Sequence, residues 1–214
     1  MEEKKQTKMA WAESLSKKLA YILRHGAKSE GINIGLDGFV DIEELLSHNK
    51  FKNITFKQIQ YVVENNDKKR FELIKKQEDN KYYIRASQGH SIKDINDEQL
   101  LQILSLEDAK KLDVVVHGTY QQHIKPILEQ GLSIMGRNHI HFAIGYTSDK
   151  VISGMRKTCD IFIEIDVIKA INDGIQFFVS KNNVILSSGK NGILESKYFK
   201  IVKNNKNEII FQNN

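Results

Sequence analysis

The chain has 214 residues, 40% of them hydrophobic, enough for one large domain or two small ones with a real core. A formal net charge of +5 and a pI near 9.1 mildly favour an anionic partner. The single cysteine, Cys159, excludes an intramolecular disulfide and a Cys-rich zinc centre. No apolar run approaches a membrane span, and residues 1–8 lack the apolar core of a signal peptide, so a cytoplasmic protein is expected.

Residues 1–10 are charged and read as a disordered or frayed lead-in. A helix is expected from Ala12 to His25, where Leu15, Leu19, Ile22 and Leu23 form one apolar stripe, with Gly26 as its stop. Arg24 and His25 then lie in the last turn, where the helix dipole favours cations. Leu36–Val40 reads as a short strand after a tight turn. Asp41 starts a second helix, with Glu44 placed for a capping-box variant. A third helix runs from Thr55, its N-cap, to Asn65, with Ile59, Val62 and Val63 inward. Phe71–Ile74 and Tyr82–Arg85, joined by the polar turn Gln77–Asn80, form a β-hairpin. Three helices and a hairpin are the order of a winged-helix module. The lysines around them (Lys50, Lys52, Lys57, Lys68, Lys69, Lys75, Lys76, Lys81) are either a solvated face or a phosphate-binding one.

The pattern changes over residues 93–112, which include a possible short helix at Asp97–Leu104. Domains are accordingly drawn at 1–92 and 113–214, with 93–112 as linker. The second half starts with a strand at Asp113–His117 and a helix at Gln121–Gln130 that contains Pro126 and ends at Gly131. A strand over Arg137-Asn138-His139-Ile140-His141-Phe142 would point both imidazoles to one face and the two apolar side chains to the other. A helix is expected at Ser148–Ser153, and strands at Ile161–Ile165, Gln176–Val179, Val184–Leu186, Tyr198–Lys203 and Glu208–Phe211. Lys181-Asn182-Asn183 and Ser188-Gly189 supply turns, and the polar tail after Lys203 reads as mobile. Strands dominate and few helices are long enough for parallel crossovers, so the fold class is α+β with mixed or antiparallel sheets.

The chemistry is narrowed by what is missing. His117, His139 and His141 could ligate zinc, but no nearby acid or thiol completes the set, and Arg137 would repel a cation. Ser180, Ser187 and Ser188 lie in no nucleophile elbow. Cys159 has Arg156 and Lys157 near in sequence, which is weak grounds for a reactive thiol. No Walker A loop or dinucleotide fingerprint is present. What remains is a set of Arg and His side chains suited to holding phosphate without a metal.

Five stretches, in order, carry a family resemblance. They are Ser16-Lys17-Lys18-Leu19-Ala20-Tyr21-Ile22-Leu23-Arg24-His25, Ile84-Arg85-Ala86-Ser87-Gln88-Gly89-His90-Ser91, His117-Gly118-Thr119, Arg137-Asn138-His139-Ile140-His141-Phe142 and Ser153-Gly154-Met155-Arg156. From Ser16 to about Val202 the chain resembles the NAD-dependent RNA 2′-phosphotransferases, which clear the 2′-phosphate left at a tRNA splice junction. The resemblance implies an N-terminal winged-helix lobe that takes RNA and a C-terminal ADP-ribosyltransferase-like lobe that takes NAD as co-substrate, with no metal. It implies an Arg-His-Arg-Arg phosphate set, matched by Arg24, His25 and Arg85. Arg137 is favoured for the fourth place over Arg156. His117, Gly118, Thr119, His139 and His141 match the NAD-lobe pattern. Gly118 is expected to let backbone approach the dinucleotide, and Phe178 and Ser180 to line the cofactor cleft. Two complete lobes would suffice for a monomer. Two other readings remain: an ADP-ribosyltransferase acting on phosphorylated nucleic-acid ends or on protein, and a non-catalytic RNA-binding winged helix.

Overall fold

The first helix is longer than its apolar stripe. In the computed structural model, which describes residues 2–95, 100–146, 154–156 and 158–213 (main chain alone for 2–9), α1 spans Glu2–Tyr21. The expected lead-in is therefore helical. Glu, Lys and Gln are good helix formers, and a stretch with no apolar stripe shows no periodicity by which to detect it. The helix also ends differently. Ile22–Gly26 form a π-helical turn, closed by the amide of Ala27 donating to the Ile22 carbonyl at 2.9 Å. Gly26 is not a stop: a Cβ there would meet the Tyr21 ring at 2.7 Å, so glycine lets that ring lie against the turn.

The chain divides into two compact units, Met1–Leu100 and Leu101–Asn214. In the first, Gly35 and Phe39 close a turn with Gly38 at φ +75°. The strand after it, β1, is shorter and later than expected, at Val40–Asp41. Helix α2, Ile42–Ser47, is capped by Asp41, whose carboxylate accepts from the Glu43 amide at 2.7 Å. The expected box partner, Glu44, instead accepts from the main-chain and side-chain nitrogens of Asn33 at 2.7 and 2.9 Å. Helix α3, Phe56–Glu64, has a full capping box between Thr55 and Gln58. Ile59 and Val62 are buried, and Val63 is half-buried. The hairpin follows as β2, Phe71–Lys75, and β3, Tyr82–Ala86, with β1 on the other side of β3. Helix α1 packs on α3, with Trp11 and Tyr61 ring centroids 5.5 Å apart.

The second unit is built on strands. They are β4 Gln102–Ile103, β5 Val115–Thr119, β6 Leu132–Ser133, β7 Ile140–Ile144, β8 Ile161–Ile165, β9 Phe178–Val179, β10 Ile185–Ser187, β11 Ile193–Leu194, β12 Phe199–Asn204 and β13 Ile209–Gln212. Helices α4 Leu106–Ala109, α5 Ile124–Gln130 and α6 Val167–Asn172 lie between them in sequence. Among the described residues eight strands form one sheet, ordered β13-β12-β8-β5-β7-β10-β9-β4, and β11 pairs with β6. These pairings are all antiparallel, as is each pairing of the first unit, so the class is α+β. Residues 102–103 are strand rather than part of the helix expected at Asp97–Leu104; residues 97–99 of that stretch, and the helix expected at Ser148–Ser153, lie outside the described residues. Pro126 is the third residue of α5, in the first turn, where its missing N–H breaks no helical bond. The tail is not loose: β13 pairs along β12.

Alternation along the strands separates two apolar clusters. Val115, Phe142, Ile163 and Ile185 join Phe177, Phe199 and Val202 in the main core. Val116, Ala143 and Phe162 cluster instead with Met155 and Cys159. Strands β5 and β7 are direct neighbours near the middle of the sheet, and this adjacency builds the candidate site residues of the second unit.

Candidate active site

In the first unit, Arg24 and His25 sit on the π-helical turn. Inserting one residue per turn rotates side chains off the α-helical phase, and such turns recur at functional sites. His25 Nδ1 lies 2.9 Å from Ser91 Oγ, and the Ser91 amide donates to the Arg24 carbonyl at 2.9 Å. Gly89, at φ +89°, turns the chain so that Ser91 can return to the helix, while His90 and Ile92 on either side of it are buried.

Arg85 is 6% exposed on β3. Its Nε donates to Glu72 at 2.7 Å, directly across the hairpin, and its Nη1 donates to the Asp37 carbonyl at 2.9 Å. The guanidinium carbon stands 4.4 Å from the Phe39 ring centroid. A charged, planar group is thus held over an aromatic ring by two acceptors. Glu72 and Phe39 were not assigned from sequence. The register set by the turn Gln77–Asn80 was the available signal for Glu72, and nothing local marked Phe39.

In the second unit, His117 Nδ1 lies 2.9 Å from the His141 carbonyl. A carbonyl only accepts, so Nδ1 carries the proton, and in the neutral ring Nε2 is left as an acceptor. Burial, and after it the charge of Arg137, hold the His117 imidazole below its usual pKa; the bond to the His141 carbonyl opposes this and does not reverse it. Arg137 Nη1 makes a long contact of 3.5 Å with His141 Nδ1. That assigns Nδ1 of His141 as acceptor, the opposite tautomer to His117. Burial and the like charge of Arg156 hold the Arg137 guanidinium below its usual range, so both arginines act on this region. Arg137 and Arg156 are both exposed.

The stretch read as one strand is only partly a strand. A turn closed by the Arg137 amide on the Ile134 carbonyl, at 3.1 Å, delays β7 until Ile140, so Arg137 and His139 precede it. His139 and His141 are 7% and 8% exposed, so the imidazole face is enclosed. His139 meets Phe178 edge-on, with centroids 5.5 Å apart, so Phe178 bears on this group through His139. Ser180 is 3% exposed, and its hydroxyl is engaged by Asn182 and Val184 within the turn between β9 and β10.

Gly118 is required by packing within its own unit. The space a Cβ would need is filled by the Met155 side chain, with Cys159 Sγ at 2.9 Å. Gly154, at φ +89°, is equally constrained, since a Cβ there would meet the Phe142 carbonyl oxygen at 2.8 Å. The two glycines let the Gly154-Met155-Arg156 segment lie directly on the sheet, which brings the Arg156 charge near Arg137. Thr119 closes β5, its carbonyl accepting from Asp160 at 3.2 Å. Beyond it, an open recess of about 600 Å³ is lined by Tyr120, Gln121, Gln122, His123, Arg156 and Asp160.

Among the described residues no three His, Cys, Asp or Glu side chains are grouped to hold a metal ion, and no helix is long and apolar enough to cross a membrane. The arrangement can supply fixed guanidinium groups for phosphate oxygens and a neutral imidazole acceptor for a hydroxyl.

Comparison with known proteins agrees with that chemistry. The family model described as RNA 2′-phosphotransferase, Tpt1/KptA family, matches residues 11–189. The chain is 48% identical over 187 residues to the zebrafish (Danio rerio) tRNA 2′-phosphotransferase 1, covering 86% of this chain and 82% of that protein. It is 44% identical over 189 residues to human tRNA 2′-phosphotransferase 1, covering 87% and 73%. With the Saccharomyces cerevisiae tRNA 2′-phosphotransferase it shares 40% identity over 179 residues, covering 81% and 77%. With a family match spanning most of its length, the chain belongs to the RNA 2′-phosphotransferase, Tpt1/KptA, family.

Proposed function

We propose that this protein removes the 2′-phosphate from RNA of the tRNA splice-junction type and passes it to NAD. The observation that carries the reading is the family match over residues 11–189, which includes every Arg and His assigned above. In the first step a 2′-phosphate oxygen attacks C1″ of the NAD ribose; the glycosidic C–N bond breaks and nicotinamide leaves. In the second, the ribose 2″-oxygen attacks phosphorus and the bond to the RNA 2′-oxygen breaks. The proton of the 2″-hydroxyl is balanced by the one gained at the RNA 2′-oxygen. The products are RNA with a 2′-hydroxyl and ADP-ribose 1″,2″-cyclic phosphate.

The first unit is assigned as a winged-helix RNA-binding lobe, supported by three helices leading into the β2–β3 hairpin. The second is assigned as an ADP-ribosyltransferase-like NAD lobe. Arg24, His25 and Arg85 of the first unit, and Arg137 of the second, are assigned to phosphate. The fit of NAD to the second unit is supported by the Nε2 acceptor of His117, which can accept from a ribose hydroxyl, and by the Arg156 guanidinium, suited to a pyrophosphate. Gly118, Thr119, His139 and His141 shape that site, and Phe178 supports His139. Arg156 is assigned to orientation of the dinucleotide. The protein is assigned to the cytoplasm, acting as a monomer.

The test is a short RNA with one internal 2′-phosphate, incubated with the protein and NAD in chelator, with products resolved by mass. Loss of phosphate with appearance of the cyclic phosphate is expected. RNA that retains an ADP-ribosyl group as its final product would instead make the protein an ADP-ribosyltransferase of phosphorylated RNA. No NAD-dependent change would overturn the reading.

A further inference from the structure

We infer that Arg70 is a second anion-binding position of the first unit, one that takes a phosphodiester of the RNA backbone beside the nucleotide whose 2′-phosphate is removed. The inference deepens the proposed function and rests on it, since RNA is the substrate of that reading.

Arg70 follows Lys68 and Lys69 in the turn between α3 and β2. That turn is tied to both elements that carry the first unit's phosphate residues. Toward α1, Asn66 Oδ1 accepts from the Arg70 amide at 3.1 Å, and Asn66 Nδ2 donates to Ser16 Oγ at 3.2 Å. Toward β3, the Ser87 amide donates to the Arg70 carbonyl at 2.9 Å, and the Ser87 hydroxyl donates to the Lys69 carbonyl at 3.0 Å. Lys69 is held at φ +45°, a left-handed conformation that a lysine rarely adopts outside a constrained turn. The hairpin register pairs Phe71 with Ala86 and Glu72 with Arg85, which leaves Arg70 opposite Ser87. Alternation then puts Arg70 on the same side of the hairpin as Glu72 and Arg85.

The Arg70 side chain is half-buried, and among the described residues it makes one long hydrogen bond, 3.4 Å from Nη1 to Asn66 Oδ1. Among the same residues it enters no ion pair. Burial holds its guanidinium below the usual range, and the charge of Asp67 opposes this from a distance without reversing it. A neutral amide oxygen at one corner leaves the rest of the guanidinium fork to take an oxyanion, and a phosphodiester presents the paired oxygens that such a fork matches. The rigid turn fixes where that oxyanion sits relative to Arg85, whose β3 strand Ser87 follows directly.

Arg70→Gln keeps a donor for Asn66 and removes the charge, so its melting temperature should stay at the wild-type value. Binding is read by fluorescence anisotropy, without NAD, on a short RNA with one internal 2′-phosphate and on the same RNA without it, across a range of salt. The Kd of Arg70→Gln is expected to rise about tenfold for both RNAs, the size expected for losing a hydrogen bond between charged groups. The slope of log Kd against log salt should fall by about 0.7, the share of one phosphate contact on a single strand. Arg70→Lys, which keeps the charge but not the fork, should restore the slope and part of the affinity. Wild-type affinity and slope in Arg70→Gln would overturn the inference. So would a loss confined to the 2′-phosphorylated RNA, which would place Arg70 on the transferred phosphate, or a fall in melting temperature that accounts for the weaker binding. Absence of RNA binding by the wild type would overturn it as well. If the wild type binds RNA but turns none over, the functional reading fails, and the comparison of Kd and slope still decides for or against Arg70.

Discussion

The imidazole of His117 and the main chain of His141 are joined by one hydrogen bond of 2.9 Å across the neighbouring strands β5 and β7. Burial, and then Arg137, favour the neutral ring of His117. The sign for stability follows. The unfolded chain binds this proton more readily than the folded one, so stability is fully present above about pH 6.5 and is lost as pH falls below it. Thermal melts from pH 7.5 to 5 should show a steeper loss for the wild type than for His117→Gln, which cannot titrate. Parallel curves would place the acid sensitivity elsewhere. The folded ring keeps its acceptor at Nε2 to lower pH than a free imidazole, so the wild-type KM for NAD should rise only below the pH at which stability begins to fall.

The two arginines of the second unit should separate kinetically. Arg137, in contact with His141, is assigned to the transferred phosphate. Arg137→Ala should cost on the order of a hundredfold or more in kcat. Arg156, exposed, is assigned to the dinucleotide, and Arg156→Ala should act chiefly on the KM for NAD, by about tenfold. Steady-state kinetics on both variants decide this, and a reversed pattern would exchange the two assignments.

Arg85 should show a double phenotype. Removing it leaves Glu72, whose side chain is 21% exposed, without its cross-strand partner. Arg85→Ala should therefore destabilise by about 2 kcal/mol in urea unfolding, below the full cost of breaking a buried pair because Glu72 reaches water. It should also abolish turnover. Arg85→Lys keeps the charge but not the fork, so it should recover more stability than activity. A lysine variant with near wild-type kcat would show that only charge is needed there.

Gly118 and Met155 should be coupled. Gly118→Ala forces Met155 off the sheet and is expected to cost about 1–3 kcal/mol. It should also lower activity by displacing Arg156. Met155→Ala makes room for the added methyl, so the double variant should be more stable than the sum of the single changes predicts. A double-mutant cycle with zero coupling would contradict the packing described.

Features set by local chemistry were readable in the sequence, and those set by distant neighbours were not. Thr55 and Gln58 mark the start of α3 because a capping box is closed within four residues. The hairpin was readable for the same reason. The early start of α1 was not, because its first residues show no apolar rhythm. Two-residue strands such as β4, β6 and β11 were missed because they exist only through their partners. At the site, the residue types and their order were visible. The wall of Met155 against Gly118, the engagement of Ser180 inside its turn and the hold of Ser91 on His25 were not, since each depends on a segment brought in from elsewhere in the chain.

The π-helical turn at Ile22–Gly26 has a consequence for how this protein tolerates change in length. Upstream of it, Leu15 and Leu19 keep step with the core. Through it, the count is one residue out of step, about 100° of rotation in an α-helix. Deleting a single residue there would rotate the residues beyond it out of step with the core, in which Leu23 and Ala27 are buried, and would swing His25 away from Ser91. Such a deletion should lower both the melting temperature and turnover. The spacing between Leu19 and Ser91 is thus as much a functional property as the identity of His25.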